Sequence, residues 1–222
     1  KMGMMMYPGA DYCGDIYVEN IGFAKDAYIH SGVSARLITR EDIHMLPKRD
    51  VHGNKGTFGK TFIIAGSENM GGAACMSALS AYRSGNGLVK VFTHINNRNL
   101  ILSHVPEAII ECYDDNNEYN AIESAQLARK LEESIDWSDC VIAGPGLSMS
   151  KRAKEIVECM FDKMTVAKDK TFIIDADALN IISADDRLKE KLKKCSIDNI
   201  SEKICETNRM DKNIIITPHI GD

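Results

Sequence analysis

The sequence has no excess of positive charge: 27 Lys and Arg stand against 32 Asp and Glu, for a formal net charge of −5. Nothing in that balance favours nucleic acid or an anionic membrane as a partner. No apolar run approaches the roughly 18 residues that a membrane helix needs. The opening Lys1–Met6 lacks the apolar core and small-residue cleavage site of a secretory signal. Seven cysteines, at 13, 75, 112, 140, 159, 195 and 205, form no CxxC pair and no metal-ligand spacing. An odd, scattered set predicts reduced thiols in a cytoplasmic protein, most of them small core hydrophobes, and no metal site. Also missing are a Ser-His-Asp arrangement, a Walker loop, a dinucleotide fingerprint, internal repeats and low-complexity stretches. The glycines of Gly71-Gly72 and Gly85-Asn86-Gly87 do not follow the dinucleotide spacing.

What is present suits a globular protein with a core to bury: 222 residues, 44% hydrophobic and 27% charged. Three regions separate on pattern. Residues 1–23 contain a Tyr7-Pro8-Gly9 turn and an alternating, strand-like run, Asp15-Ile16-Tyr17-Val18-Glu19. Residues 24–54 are mixed and polar, with a short helical candidate opened by the capping-box-like Thr39-Arg40-Glu41-Asp42, then a linker at Pro47–Asp50. From residue 55 to 222, strands and helices alternate. Strands are expected at 61–65, 88–92, 109–112, 140–143, 171–174 and 214–217; helices at 72–83, 122–135, 153–161 and 176–182. In the second helix Ile122, Ala125, Ala128, Leu131 and Ile135 share one face. Short continuous apolar strands, each followed by a helix, predict an α/β fold: a mostly parallel sheet with helices on both faces.

In such a sheet ligands bind beyond the carboxyl ends of the strands, and the unusual residues stand there. Gly66-Ser67-Glu68-Asn69-Met70-Gly71-Gly72-Ala73-Ala74 follows the first strand; glycines at a helix mouth suit an anionic or polar ligand, or merely close packing. Gly144-Pro145-Gly146-Leu147-Ser148 is a rigid turn exposing main-chain amides. In Asp175-Ala176-Asp177-Ala178-Leu179-Asn180, Asp175 can cap a helix, while Asp177 and Asn180 exceed what a cap needs. Thr217-Pro218-His219-Ile220-Gly221-Asp222 places a histidine between a proline and a turn. The remaining histidines (30, 44, 52, 94 and 104) read as solvated surface.

In order and spacing, KGTFGK (55–60), AGSENMGGAA (65–74), RSGNGLV (83–89), GPGLS, DADALN and TPHIGD resemble the ADP- or ATP-dependent NAD(P)H-hydrate dehydratases of the ribokinase-like superfamily. Residues 1–23 resemble the end of an NAD(P)H-hydrate epimerase domain, which many microbes fuse ahead of the dehydratase, and 24–54 fall where those proteins have a linker. Residues 55–222 would then be the front part of a dehydratase domain, and the sheet incomplete.

The resemblance implies a substrate, the hydrated, redox-dead form of NADH or NADPH, and a phosphoryl donor, ADP or ATP with Mg2+. It carries substrate contacts onto Ala73, Gly146 and His219, with Asp177 and Asn180 lining or supporting the pocket. It places the catalytic aspartate in a late GTGD segment with no counterpart up to Asp222, so the chain is expected to hold part of the pocket and to be inactive alone. Ile220 and Asp222 depart from the family's TPHPGE. Two other readings stay open: a hydroxyethylthiazole- or sugar-type kinase of the same superfamily, and a non-catalytic module that associates with itself through an exposed sheet edge as a homo-oligomer.

Overall fold

The computed structural model describes residues 2–5, 8–19, 21–22, 40–46, 48–115, 121–167, 169–200 and 213–217. The chain divides into two units, one built mainly of Lys1–Val51 and one spanning His52–His219. In the first unit, single 3-10 turns form at Met2–Met4, Gly9–Tyr12 and Arg40–Met45. The last coincides with the expected helical candidate; Thr39, its expected cap, lies outside the described residues. The run Asp15–Glu19 is not a strand, and Tyr17 and Val18 are exposed. Alternation makes a strand only where a neighbour takes the ladder hydrogen bonds and a core takes the apolar face, and among the described residues this run has neither.

The second unit is a six-stranded sheet: β1 (Lys60–Ile64), β2 (Leu88–His94), β3 (Ile109–Tyr113), β4 (Cys140–Ala143), β5 (Thr171–Asp175) and β6 (Asn213–Thr217). Every pairing is parallel and the spatial order is β3-β2-β1-β4-β5-β6. The helices are α1 (Gly71–Arg83), α2 (Arg98–His104), α3 (Ala121–Trp137), α4 (Lys151–Val166), α5 (Ala176–Ala184) and α6 (Asp186–Ile200).

Both faces of the sheet are apolar, which is why its strands read as continuous hydrophobic runs. Along β1 the side chains alternate between two cores. Phe62 and Ile64 join Phe92, Val141, Phe172 and Ile174 under α3, α4, α5 and α6. Ile63 packs with Val89, Val91 and Ile101 under α1 and α2. Ala74, Ala78 and Ala81 bring α1 close to that second face.

All six expected strands form, and the expected helices form with longer ends. Two helices were not expected. The seven residues of α2 are too few to show a period, and α6 is strongly charged, with Leu188 and Leu192 as its contacts to the core. The buried face of α3 is also rotated from the expected one. Leu127, Leu131, Ser134 and Ile135 turn inward, while Ile122 and Ala125 face solvent. Both stripes satisfy helical spacing, and the larger Leu127 displaces Ala125 from the sheet.

Phe62 is fully buried at the sheet centre and meets Phe92 edge-on, ring centroids 6.4 Å apart. Phe62→Ala should lower unfolding stability by about 3–5 kcal/mol, read as an earlier urea midpoint with unchanged slope. A stability loss below about 1 kcal/mol would mean this core is loosely packed.

Candidate functional site

The chain leaves β1 for β2 in one direction and β4 for β5 in the other, so the strand order reverses between β1 and β4. That reversal opens a crevice at the carboxyl edge. Two loops meet across it. The Gly66 N–H donates to the Pro145 carbonyl at 2.9 Å, the Ser67 N–H to the Gly146 carbonyl at 2.6 Å, and the Gly144 N–H to the Ile64 carbonyl at 3.0 Å. The loops are thus laced together by backbone.

Behind this seam the Gly66 carbonyl accepts from the Thr93 hydroxyl (3.0 Å), the Asn97 amide (3.2 Å), the Tyr113 hydroxyl (3.3 Å) and the His94 N–H (3.1 Å). Asn97 also donates to the Ser67 carbonyl at 2.9 Å. Strands β2 and β3 therefore fix the first loop from one side.

Gly146 is buried, with φ of 61°; a Cβ there would lie 2.8 Å from Ala73 Cβ and 2.9 Å from Met70 Cβ. Two of the expected contact residues, Ala73 and Gly146, are thereby brought into direct apposition. Met70 precedes α1 and offers no side-chain cap; its carbonyl takes the Ala73 N–H at 3.1 Å, which leaves the Gly71 and Gly72 amides for other acceptors. An added Cβ at Gly72 would meet nothing within 4 Å. The arrangement is a tightly packed, backbone-laced seam beside an open helix mouth, where a polar, flat or anionic group would meet main-chain amides.

The other two edges continue the line. A Cβ on Gly144, at φ 124°, would strike the Asp175 carbonyl at 1.8 Å, so only glycine fits there. Asp175 occupies the cap position of α5 but makes no side-chain cap bond; its Oδ1 accepts from the Thr217 hydroxyl at 2.5 Å, linking β5 to β6. The simple capping expectation for Asp175 is therefore not what the geometry shows. Asp177 Oδ2 accepts from the Ser148 N–H at 2.7 Å and its Oδ1 from the Asn180 amide at 3.4 Å. Ser148 has φ of 69°. Left-handed backbone costs an L-residue about 1–2 kcal/mol, and a hydrogen bond to a charged acceptor contributes about 1.5–3 kcal/mol, so the Asp177 bond suffices to hold the strain. His219 lies outside the described residues, two positions past Thr217.

One histidine departs from expectation. His94, read as solvated, is fully buried at the end of β2. A polar neighbourhood in sequence hid a position that the sheet covers, for Tyr113 of β3 closes edge-on over the ring at 5.7 Å. Its Nδ1 accepts from the Asn96 N–H at 3.3 Å, which puts the proton of the neutral ring on Nε2. That nitrogen is buried without a hydrogen bond, 3.9 Å from Asp114 Oδ1. His44, His52 and His104 are exposed, as expected. Beside His94, burial pushes the Asp115 carboxyl above the ordinary 3.8, with His94 and Arg152 pulling it back in part and Asp114 and Glu68 adding to the rise.

Comparison with known proteins shows the family. The sequence profile of the family described as NAD(P)H-hydrate dehydratase matches residues 61–222. The chain belongs to the NAD(P)H-hydrate dehydratase family. An ADP-dependent (S)-NAD(P)H-hydrate dehydratase of Staphylococcus aureus is 30% identical, covering 72% of this chain and 52% of that protein. A bifunctional NAD(P)H-hydrate repair enzyme of Leishmania braziliensis is 26% identical over 100% of this chain and 38% of its own length. Among solved structures, the ADP/ATP-dependent dehydratase of Bacillus subtilis, co-crystallised with ATP and Mg2+, is 26% identical with a TM-score of 0.54, covering 82% of this chain and 52% of that one. A ribokinase-like superfamily protein of Enterococcus faecalis is 25% identical with a TM-score of 0.56, over 66% of this chain and 47% of that one. The fold is ribokinase-like α/β, and the chain spans between about a third and a half of the length of these relatives.

Two outcomes follow. Gly146→Val adds atoms where Ala73 and Met70 already stand; any small ligand that binds along this seam should lose at least about tenfold in affinity by calorimetry, and retained affinity would move the site elsewhere. For Asp115 the sign is that of a raised carboxyl: its stability contribution is full below the ordinary value and is lost as pH rises through the raised one. Asp115→Asn should therefore gain in Tm relative to wild type, the gain growing from pH 4 to 7. A constant difference over that range would contradict the burial argument.

Proposed function

We propose that this chain forms the substrate-binding part of a nicotinamide-nucleotide repair enzyme, one that dehydrates the (S) hydrate of NADH or NADPH in a nucleotide-dependent reaction. The observation that carries the proposal is the apposition of Gly146 on Ala73 at the switch point, in a chain of the dehydratase family. Ala73, Gly146 and His219 are the proposed substrate contacts.

Hydroxide is a poor leaving group, so removing it from the reduced ring requires prior activation, here by phosphoryl transfer from ADP or ATP and loss of phosphate. The part assigned to this chain is to bind and orient the hydrated ring. The Gly144–Ser148 turn and the α1 mouth form a fixed surface for that purpose, and oriented binding is a large share of such catalysis. Among the described residues no group of three His, Cys, Asp or Glu side chains could hold a metal ion, so no step is assigned to Mg2+ here.

Alignment of a bifunctional relative over the whole chain supports reading residues 1–23 as the end of an epimerase domain, 24–54 as linker and 55–222 as the front of the dehydratase domain. A cytoplasmic setting is proposed on the free thiols of Cys13, Cys75, Cys112, Cys140 and Cys159. Among the described residues no helix is long and apolar enough to cross a membrane. Self-association along β6, where Ile215 and Ile216 are exposed, is part of the same proposal and is read by light scattering.

The test is binding by isothermal calorimetry. Hydrated NADPH or NADH should bind the chain, whereas hydroxyethylthiazole and simple sugars should not. The reverse preference would overturn the proposed substrate.

A further inference from the structure

The Gly144–Ser148 turn forms one side of the seam, and beyond its backbone bonds to Ile64 and Gly66 it is held at three points. Leu147 is fully buried in the core under α4 and its N–H closes the turn on the Gly144 carbonyl at 3.0 Å. The Gly146 carbonyl takes the Ser67 N–H across the crevice. The third hold comes from another element altogether, the start of α5.

There Ala176, like Ser148, has a left-handed φ, 43°. Two non-glycine residues in that conformation, on two loops that touch through Gly144 and the Asp175 carbonyl, are unusual. The bend at Ala176 turns Asp177 back towards the neighbouring loop, where its Oδ2 meets the Ser148 N–H at 2.7 Å. From Ser148 the hold passes on: its hydroxyl accepts from the Ser150 N–H at 3.3 Å, and Ser150 caps α4 through the Ala153 N–H at 3.1 Å. The second Asp177 oxygen is engaged by Asn180. Both oxygens of the carboxylate thus point into the protein's own framework.

We infer that Asp177 is a positioning residue, not a substrate contact: it clamps Ser148 in its left-handed conformation, and by doing so sets Gly146 against Ala73. Asn180 steadies the carboxylate for that task. The inference rests on the proposed substrate site, but its geometry stands apart from it. Without the clamp, Ser148 relaxes towards ordinary backbone angles and Gly146, two residues away, leaves its place. A glycine at position 148 takes the left-handed conformation without penalty and so replaces what the clamp supplies.

The chain is compared with its Asp177→Ala, Asp177→Asn and Asp177→Ala/Ser148→Gly variants, using hydrated NADPH as the calorimetric probe and thermal unfolding as a second readout. Asp177→Ala should weaken binding about tenfold, about 1.4 kcal/mol. The double variant should recover to within about threefold of wild type, and Asp177→Asn, whose amide oxygen still accepts, should stay within the same range. A double variant as weak as Asp177→Ala would overturn the inference, since a lost ligand contact cannot be restored by a glycine elsewhere. Unchanged affinity in Asp177→Ala would overturn it as well. Should the wild-type chain bind no hydrate, the proposed function fails while the clamp is still read from Tm: Asp177→Ala lowers it and Ser148→Gly restores part of the loss in that background. Purely additive Tm changes would overturn the clamp. If Asp177→Ala does not fold, the comparison of Asp177→Asn with Asp177→Asn/Ser148→Gly decides: no further gain from the glycine is expected, and a large gain from it contradicts an intact clamp.

Discussion

The pairing of β1 with β4 is the constraint on which the rest depends. Thr61 to Ile64 lie in register with Cys140 to Ala143, so the two strands end at the same height and their loops emerge side by side. The following crossovers run in opposite directions away from this junction. Main-chain hydrogen bonds fill it, from Gly66 and Ser67 to Pro145 and Gly146. Small residues are needed at that junction because there is room only for backbone: a Cβ at Gly66, Gly144 or Gly146 would meet another atom closer than 3.0 Å.

This explains why the two non-glycine residues with positive φ among the described residues, Ser148 and Ala176, both stand on this edge. Gly66, Gly144, Gly146, Ser148 and Ala176 all have positive φ, and all follow a strand end. The two apolar cores beneath, each anchored by fully buried side chains, hold the strands firmly enough to impose these angles. The carboxyl edge is in this sense a rigid surface, laid out by packing several residues below it. Polar side chains then finish the work: Asn97 ties the first loop, Asp177 the second, Thr217 the last strand.

Much of this was legible in the sequence, for physical reasons. A strand buried on both faces must be apolar throughout, which made β1, β2, β4 and β5 plain. Glycines and a proline just after such strands marked the loops. What escaped notice was whatever depends on the neighbour. His94 sits in polar text but under Tyr113. The helix α3 has two possible apolar stripes, and only the sheet chooses Leu127 over Ala125. Asp15–Glu19 has a strand's alternation without a strand's partner. Asp175 looks like a cap and instead bonds Thr217, a residue 42 positions away. Asp177 and Asn180 stood out in the sequence, but their tie to Ser148 could be seen only in three dimensions.

A structure of the chain with hydrated NADPH bound tests the central claim most directly. The account predicts the hydrated ring in the β1–β4 crevice, within about 4 Å of both Ala73 and Gly146. A ring seated elsewhere, for instance in the depression of about 550 Å3 beside Ile122 and Arg129 on α3, with the crevice left to solvent, would contradict it.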